Sequence, residues 1–167
     1  MKKWMYSMMI VAVAMWGYSC GDSSTGNDDD DVEAIVGVWL SQGATNVAPG
    51  LQQLTKTAKI DAVFEANATY NVVATDSTGS AVTYTGTYVL GEETATGIRT
   101  ITLAQTAPTS VTSEGIFQID GNTMTYEVIQ TSPDIGASAP TVDGGFGSTL
   151  VGGVSYGTYW TQAFEKQ

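Results

Sequence analysis

None of the 167 residues is histidine, so acid–base chemistry would depend on carboxylates, and six of the 17 Asp and Glu side chains could meet in space. They are Asp61, Glu65, Glu92, Glu93, Glu114 and Glu127. Two carboxylates that face each other across a glycosidic bond can hydrolyse it. Those near residues 59–65 and 123–130 fall on the outward side of an alternating strand pattern, where we expect them to be solvated. A carboxylate-dependent, glycan-active enzyme is therefore only a distant hypothesis.

Other catalytic and metal-binding patterns are missing from the sequence. Without histidine, and with Cys20 as the only cysteine, neither a serine nor a cysteine triad of the usual kind can be built. The glycine cluster at 144–149 lacks the lysine of a phosphate-binding loop. The pair Asp120-Gly121 predicts a hairpin turn, since no further ligand spacing completes a calcium loop. We therefore predict no catalytic residue, no cofactor, no metal site and no enzyme activity.

The first twenty residues have the organisation of a secretory signal. Lys2 and Lys3 supply a positive start, residues 4–16 are mostly apolar, and the small residues Gly17 and Ser19 precede the cysteine. This order predicts an export signal that a signal peptidase removes. A membrane-spanning helix needs about 20 apolar residues, more than this stretch provides. That anchor and an ordinary signal followed by a free cysteine are the alternatives.

The end of this segment resembles the lipobox of bacterial lipoproteins. Gly17 stands where leucine is usual, which is similar to the relaxed form in Bacteroidetes-type lipoproteins. The resemblance implies cleavage before Cys20, a diacylglycerol on its thiol and acylation of its new amino group. Residues 1–19 would then be the signal peptide and Cys20 the lipidation site. The protein would be lipid-anchored at the outer membrane, on the cell surface or on the periplasmic face.

Residues 20–34 are predicted to form a disordered tether, because they are polar and acidic without apolar periodicity. The run from Asp28 to Asp31 has three interpretations. It is a solvated linker, or it resembles the acidic signal by which some Bacteroidetes lipoproteins reach the outer leaflet, or it binds calcium. Calcium is the weakest of the three, since four adjacent side chains lack the spaced ligands of a preformed loop.

The chain that follows the signal is strongly acidic. Removing residues 1–19 leaves 148 of the 167 residues, with four Lys and Arg against 17 Asp and Glu, a net charge of −13. Such a surface repels nucleic acid and anionic head groups. We therefore expect no nucleic-acid partner, and we expect membrane contact to depend on the acyl chains. A single cysteine also excludes a disulfide within the chain.

Residues 35–167 are predicted to form one all-β domain. Apolar and polar residues alternate with a period of two between turn signals, which places one face of each strand in a core. The predicted strands are 36–41, 59–65, 69–75, 82–90, 99–104, 115–119, 123–130 and 157–164. Eight strands with mostly short antiparallel connections close readily into an up-and-down barrel, which leaves no exposed edge. A β-sandwich is the alternative.

Two longer connections interrupt the predicted strands. Residues 46–57 are predicted to be a loop with one helical turn at 51–55. Residues 131–153 are too rich in glycine and proline for a helix or a strand. Loops of this length are uncommon unless they are functional or mobile.

The first predicted strand contains Gly37 and Trp39, which look like the G-x-W motif of lipocalins and related calycins. In that family the glycine permits close packing and the indole plugs the closed end of the barrel. Residues 64–70 and 84–88 resemble motifs of the lipocalin-like domains in small bacterial lipoproteins, with Ala68 in place of a glycine. The resemblance implies an eight-stranded lipocalin-like barrel.

The last third of the chain departs from the lipocalin pattern. Lipocalins carry a helix in this region and a basic residue that stacks on the G-x-W indole. Here the region is rich in glycine, and Lys166 is the only basic residue after Arg99.

Two non-catalytic functions are the leading hypotheses. The first is a binder of one small apolar ligand, because the interior of an eight-stranded barrel is just wide enough to hold one. The residues expected to line it are Phe64, Tyr84, Tyr88, Met124, Tyr126 and Trp160. Arg99, the only arginine, is either an anion partner at the barrel mouth or an end-of-strand residue that reaches to water. The second is a structural or protein-interaction module with a filled barrel and residues 131–153 as its contact surface.

Overall fold

Eight strands close into an antiparallel up-and-down barrel in the computed structural model, which describes residues 34–167. They are β1 (Gly37–Gln42), β2 (Thr57–Phe64), β3 (Thr69–Asp76), β4 (Ala81–Leu90), β5 (Arg99–Ala107), β6 (Val111–Asp120), β7 (Thr123–Ser132) and β8 (Thr161–Lys166). Each strand pairs with its neighbours in this order, and β1 pairs with both β2 and β8, which closes the cylinder. The predicted barrel is confirmed, and the sandwich is excluded.

The predictions for the signal peptide, for the lipidation site Cys20 and for residues 20–33 of the tether lie outside the described residues. The strands and their connections lie between Gly37 and Lys166.

The strands form because apolar residues at alternate positions meet in one core. On β2 the side chains of Ile60 and Phe64 are buried, and on β7 those of Met124 and Tyr126 are buried. The antiparallel register places buried residues of neighbouring strands opposite each other. Phe117 on β6, for example, pairs with Tyr126 on β7. The inward faces predicted for β2 and β7 are therefore confirmed.

One helix lies in the connection between β1 and β2. Helix α1 (Pro49–Thr55) begins with a proline in its first turn, where the missing N–H has no helical partner to lose. It ends at Lys56, whose φ of 55° is the left-handed conformation that commonly terminates helices. The helix is longer than the single turn predicted at 51–55.

The connector between β7 and β8 contains strands, so the prediction that it has none was wrong. Three two-residue strands, Ala137–Ser138, Leu150–Val151 and Val154–Ser155, form a small antiparallel sheet. Gly152 and Gly153 have φ values of 59° and 78° and make the tight turn between the last two. Paired positive φ angles are what a two-residue hairpin requires, so these glycines support strand pairing rather than prevent it.

The start of the last barrel strand was also predicted wrongly. Residues Gly157–Trp160 form a 3-10 helix, and β8 begins at Thr161. Gly157 has a φ of 61°, which is incompatible with extended backbone.

The barrel has two different ends, which we name after characteristic residues. The tryptophan end contains Trp39, both termini of the described chain and the connections β2–β3, β4–β5 and β6–β7. The helix end contains α1 and the connections β3–β4, β5–β6 and β7–β8. The buried core includes Ile35, Trp39, Phe64, Tyr70, Tyr88, Ile101, Phe117, Met124 and Phe164.

The hairpin between β2 and β3 closes part of the tryptophan end. The Asn67 side-chain oxygen accepts hydrogen bonds from the N–H and the hydroxyl of Thr69, at 3.1 and 2.7 Å. The next residue, Ala68, has a φ of 61°. Glycine adopts this conformation readily and alanine does not, so the alanine holds a small amount of backbone strain here.

The hairpin between β3 and β4 lies at the helix end. The Asp76 Oδ1 atom accepts hydrogen bonds from the N–H of Thr78 at 2.8 Å, its hydroxyl at 2.7 Å, and the N–H of Ser80 at 3.0 Å. The hydrogen bond from the Thr78 hydroxyl, followed by those from the backbone, holds the pKa of Asp76 below its ordinary value.

Candidate functional site

An interior cavity of about 190 Å³ lies at the helix end of the barrel. Helix α1 borders it with Leu51 and Thr55, and the strands form the remaining wall. The other lining residues are Thr57, Ile60, Ala62, Phe64, Val72, Ala74, Tyr84, Tyr126, Gln162 and Phe164. The cavity is thus mostly apolar, and none of its lining residues is ionised at neutral pH.

The cavity exists because small side chains occupy inward positions on two neighbouring strands. Ala62 on β2 and Ala74 on β3 line it and leave space that larger residues would fill. Below them, Phe64 packs edge-on against Tyr88, with ring centroids 5.3 Å apart. Phe64 also lies 6.4 Å from Tyr70, centroid to centroid. These rings close the floor of the cavity, so the tryptophan end is filled while the helix end is hollow.

Two buried polar side chains stand in the cavity wall. Tyr126 is 8% exposed, and its ring packs edge-on against Phe164 at a centroid distance of 5.7 Å. Burial raises the pKa of the Tyr126 hydroxyl far above its ordinary value, so the group is neutral. Gln162 is 9% exposed, and its Oε1 atom accepts no hydrogen bond within residues 34–167. On the adjacent β1, the hydroxyl of Ser41 is fully buried and also has no partner in that range.

Three of the six residues predicted to line the interior do line the cavity. They are Phe64, Tyr84 and Tyr126. Tyr88 and Met124 lie in the packed core instead. The Tyr88 hydroxyl donates a hydrogen bond to the carbonyl of Glu65 at 2.9 Å and so fastens the β2–β3 hairpin.

Trp160 lies outside the barrel wall, which corrects its predicted place in the interior. Its indole packs on Gly50 of α1, where a methyl group would overlap the six-membered ring. The prediction assumed that residue 160 belongs to a strand, whereas β8 begins one residue later. Only the 3-10 helix gives the side chain its outward direction.

Arg99 lies at the tryptophan end of the barrel, away from the cavity. Its Nε and Nη2 atoms donate hydrogen bonds to the carbonyl of Gly91, at 2.8 and 2.5 Å. The guanidinium carbon lies 5.9 Å from the centroid of the Phe117 ring. The side chain is 8% exposed. Arg99 therefore fastens the β4–β5 connection at the end of the barrel away from the cavity.

Gly37 and Trp39 meet Lys166 at the tryptophan end. Trp39 is fully buried, and its indole N–H donates to the carbonyl of Ile35 at 2.7 Å. The Lys166 ammonium lies 5.3 Å from the indole centroid, a cation–π distance. A Cβ atom on residue 37 would lie 3.0 Å from the Cε atom of Lys166. Glycine at this position therefore leaves room for the lysine side chain. Sequence reasoning missed the contact, although Lys166 was the one basic residue left in the last third.

Glu127 has an outward position on β7 but is fully buried, so its predicted solvated role was wrong. Its carboxylate accepts hydrogen bonds from the N–H of Gly147 at 2.5 Å and from the N–H and hydroxyl of Thr149 at 3.1 and 2.5 Å. The hydroxyl of Thr161 donates a fourth at 2.7 Å. The carboxylate therefore holds the connector against the outer wall of the barrel. Alternation cannot reveal this, because the covering residues are 20 or more positions away in the chain.

A second, external depression lies between α1, the 3-10 helix and the connector. This apolar groove has a volume of about 540 Å³. Leu54, Ile135 and Tyr156 border it and are 69%, 52% and 55% exposed. Its remaining lining residues are Gln53, Ile129, Val151, Tyr159 and Trp160. An exposed apolar surface of this kind is a common feature of contact sites.

Residues 34–167 contain neither a group of metal-ligating side chains nor a helix that could span a membrane. In that part of the chain, no three His, Cys, Asp or Glu side chains are grouped so that they could hold a metal ion. No helix there is both long and apolar enough to cross a membrane.

The fold and the cavity together define an all-β protein with a closed eight-stranded antiparallel barrel, filled at one end and hollow under a helix at the other. No protein-family model, curated protein or solved structure matches the chain.

Proposed function

We propose that this chain is a non-catalytic, lipid-anchored outer-membrane lipoprotein whose lipocalin-like barrel binds one small apolar ligand. The observation that carries the proposal is the interior cavity of about 190 Å³ at the helix end. An apolar and aromatic lining with a few fixed polar groups is the usual composition of a small-molecule site. The cavity has both parts, since Gln162 and Tyr126 stand in an otherwise largely apolar wall.

The resemblance to lipocalins adds support at the opposite end. The Gly37–Trp39 pair was its main motif, and a basic residue, Lys166, stacks on the indole of Trp39. The filled tryptophan end gives the barrel its floor, so that a ligand would enter from the helix end, past α1.

The ligand-binding proposal is tested by filling the cavity. In Ala74→Leu the larger side chain occupies the space beside Ala62, whereas Ala104→Leu adds the same atoms at an exposed position on β5. We expect small apolar compounds to stabilise the wild type and Ala104→Leu, by about 2.7 kcal/mol at a ligand concentration 100 times Kd. Ala74→Leu should show no such gain. Thermal unfolding with and without compound measures it, and equal gains in both variants would refute binding in the cavity.

The anchor is tested at Cys20. Cys20→Ser removes the thiol that the lipobox resemblance assigns to lipidation, so the variant should accumulate as uncleaved precursor or as unlipidated protein. Mass spectrometry of the N-terminus decides between the outcomes. An unmodified Cys20 in the wild-type protein, or cleavage at another position, would contradict the anchor while leaving the barrel unaffected.

Exposure of the anchored protein on the cell surface is tested at the acidic run from Asp28 to Asp31. Changing these four residues to alanine should leave acylation intact and reduce digestion by protease added to intact cells, if the run directs export to the surface. A wild-type protein that is already protected in intact cells would identify the run as plain linker.

A second function, a protein-interaction module, is favoured by the external apolar groove. Its exposed residues belong to α1 and to the segment that includes the predicted contact surface, 131–153. A photo-crosslinking residue at Ile135 should give a discrete adduct in cells, and one at the exposed Thr87 on the outer barrel wall should not. The same pattern of adducts at both positions would remove the support for this function.

A further inference from the structure

The lining of the interior cavity includes a buried hydrogen-bond acceptor without a partner within residues 34–167. The amide oxygen of Gln162 is buried and has no partner within residues 34–167. A buried polar atom without a hydrogen bond is costly, about 1–3 kcal/mol, and native proteins contain few of them. Gln162 is also among the cavity-lining residues, so a bound molecule would meet this side chain.

Tyr126 adds a second neutral polar side chain to the lining of the same cavity. Its phenol is buried, and desolvation keeps it protonated, so it can both donate and accept a hydrogen bond. A hydroxyl on a ligand has the same two capacities. Such a group could donate to the oxygen of Gln162 and exchange a further hydrogen bond with a neighbouring neutral group.

The wall also excludes an ionised ligand group. None of the twelve lining residues carries a charge at neutral pH. Arg99 lies at the other end of the barrel, on the carbonyl of Gly91. A carboxylate in this cavity would lose its hydration without gaining an ion pair, which is strongly unfavourable.

The volume limits the size of the ligand. The cavity measures about 190 Å³. An apolar cavity of roughly 150 Å³ in another protein accommodates benzene. Sites for drug-sized molecules usually measure about 300–1,000 Å³. The space therefore suits a single ring with one small substituent, and it is too small for a long acyl chain or a fused-ring lipid.

We propose that the cavity binds a neutral, single-ring molecule with one hydroxyl group, which donates a hydrogen bond to the side-chain oxygen of Gln162. This inference rests on the proposed ligand-binding function and specifies its ligand class. Phenol is the simplest probe of the class. Toluene has the same shape without the hydroxyl, and benzoate has a similar ring with a charge.

The experiment measures the dissociation constants of the three probes by calorimetry with the purified protein. We count as cavity binding only the component that Ala74→Leu abolishes. Phenol should bind more tightly than benzoate by at least a hundredfold. In Gln162→Leu, the ratio of the toluene Kd to the phenol Kd should fall about tenfold, the factor that a well-formed hydrogen bond contributes. Gln42→Leu, an exposed glutamine position on β1, should leave the ratio unchanged.

The outcomes separate the inference from the function on which it rests. Toluene and phenol binding with the same ratio in the wild type and in Gln162→Leu would overturn the hydroxyl assignment and leave the apolar binding site in place. Benzoate binding as tightly as phenol would overturn the requirement for a neutral ligand. Failure of every probe to bind would overturn both the inference and the proposed function.

Discussion

The two ends of the barrel are built from similar strands but use them differently. At the tryptophan end, aromatic side chains fill the interior, and Lys166 covers the indole of Trp39 from outside. At the helix end, the alanines at 62 and 74 leave the interior open beneath α1. Close packing stabilises the tryptophan end, whereas the helix end is less closely packed and contains a cavity.

The connections at the two ends also differ. Hairpins with side-chain hydrogen bonds occur at both ends, at Asn67 and at Asp76. At the helix end the connector between β7 and β8 lies along the wall and is fastened through the carboxylate of Glu127. Close packing and open interior space are thus separated along the barrel axis, and substitutions at the two ends should have different consequences.

The largest effect is expected at Trp39. Replacing this fully buried side chain in Trp39→Ala should lower the free energy of unfolding by about 3–5 kcal/mol. Thr87→Ala, at an exposed position on β4, should change it by no more than about 0.5 kcal/mol. Denaturant midpoints measure both. Similar losses would mean that the tryptophan end is not the packed end, and the comparison would fail.

At the helix end, Glu127→Gln should lower the free energy of unfolding by about 2 kcal/mol. The glutamine NH2 group would face hydrogen-bond donors that now donate to the Glu127 carboxylate. The loss should be local. Amide hydrogen exchange should accelerate at Gly147 and Thr149 while the strands of the tryptophan end keep their protection. Glu114→Gln, at an exposed position on β6, is the control. Uniform acceleration through the whole barrel would show that the two ends unfold as one unit.

A gain in stability is expected at the two non-glycine residues of the described chain that have a left-handed backbone, Ala68 and Lys56. Ala68→Gly, in the hairpin of the tryptophan end, should raise the free energy of unfolding by about 1 kcal/mol, because glycine adopts a φ of 61° without strain. Lys56→Gly at the end of α1, with a φ of 55°, should give a gain of similar size. Thermal unfolding measures both. A loss at either position would show that side-chain contacts there outweigh the backbone strain.

The smallest effect concerns pH at the helix end. The folded pKa of Asp76 lies below its ordinary value, so its stabilising contribution is present above the ordinary pKa and is lost as the pH falls through the folded pKa. Asp76→Asn keeps an acceptor oxygen in the turn but cannot titrate. The wild type should therefore be slightly more stable than the variant at pH 7, and the difference should shrink on acidification. A difference that does not change with pH would contradict the assignment.

Much of the barrel could be predicted because alternation is a local property of each strand. The inward positions of Phe64 and Tyr126 follow from a period of two, and eight such segments with short connections leave few ways to pair. The turn at Asp120-Gly121 could likewise be predicted from two adjacent residues, and Gly121 has the expected positive φ of 57°.

The features that could not be predicted depend on contacts between distant residues. Glu127 has the parity of a surface residue, and only the return of the connector buries it. Trp160 was misplaced because the strand begins at Thr161 rather than at residue 157, so the alternation that predicted an inward side chain does not extend to this residue. The hollow under α1 depends on how volumes of side chains from several strands add up, which no single segment of sequence determines.

The positions of Trp39 and Trp160 also allow the two ends of the barrel to be monitored by tryptophan fluorescence. They are the two tryptophans of residues 34–167, and they lie at opposite ends of the barrel. Trp39 is fully enclosed, so its fluorescence should be shielded from a soluble quencher. Trp160 borders the open groove, so its fluorescence should be quenched more readily. Quenching therefore separates the signals of the two ends, and Trp160→Phe isolates the contribution of Trp39.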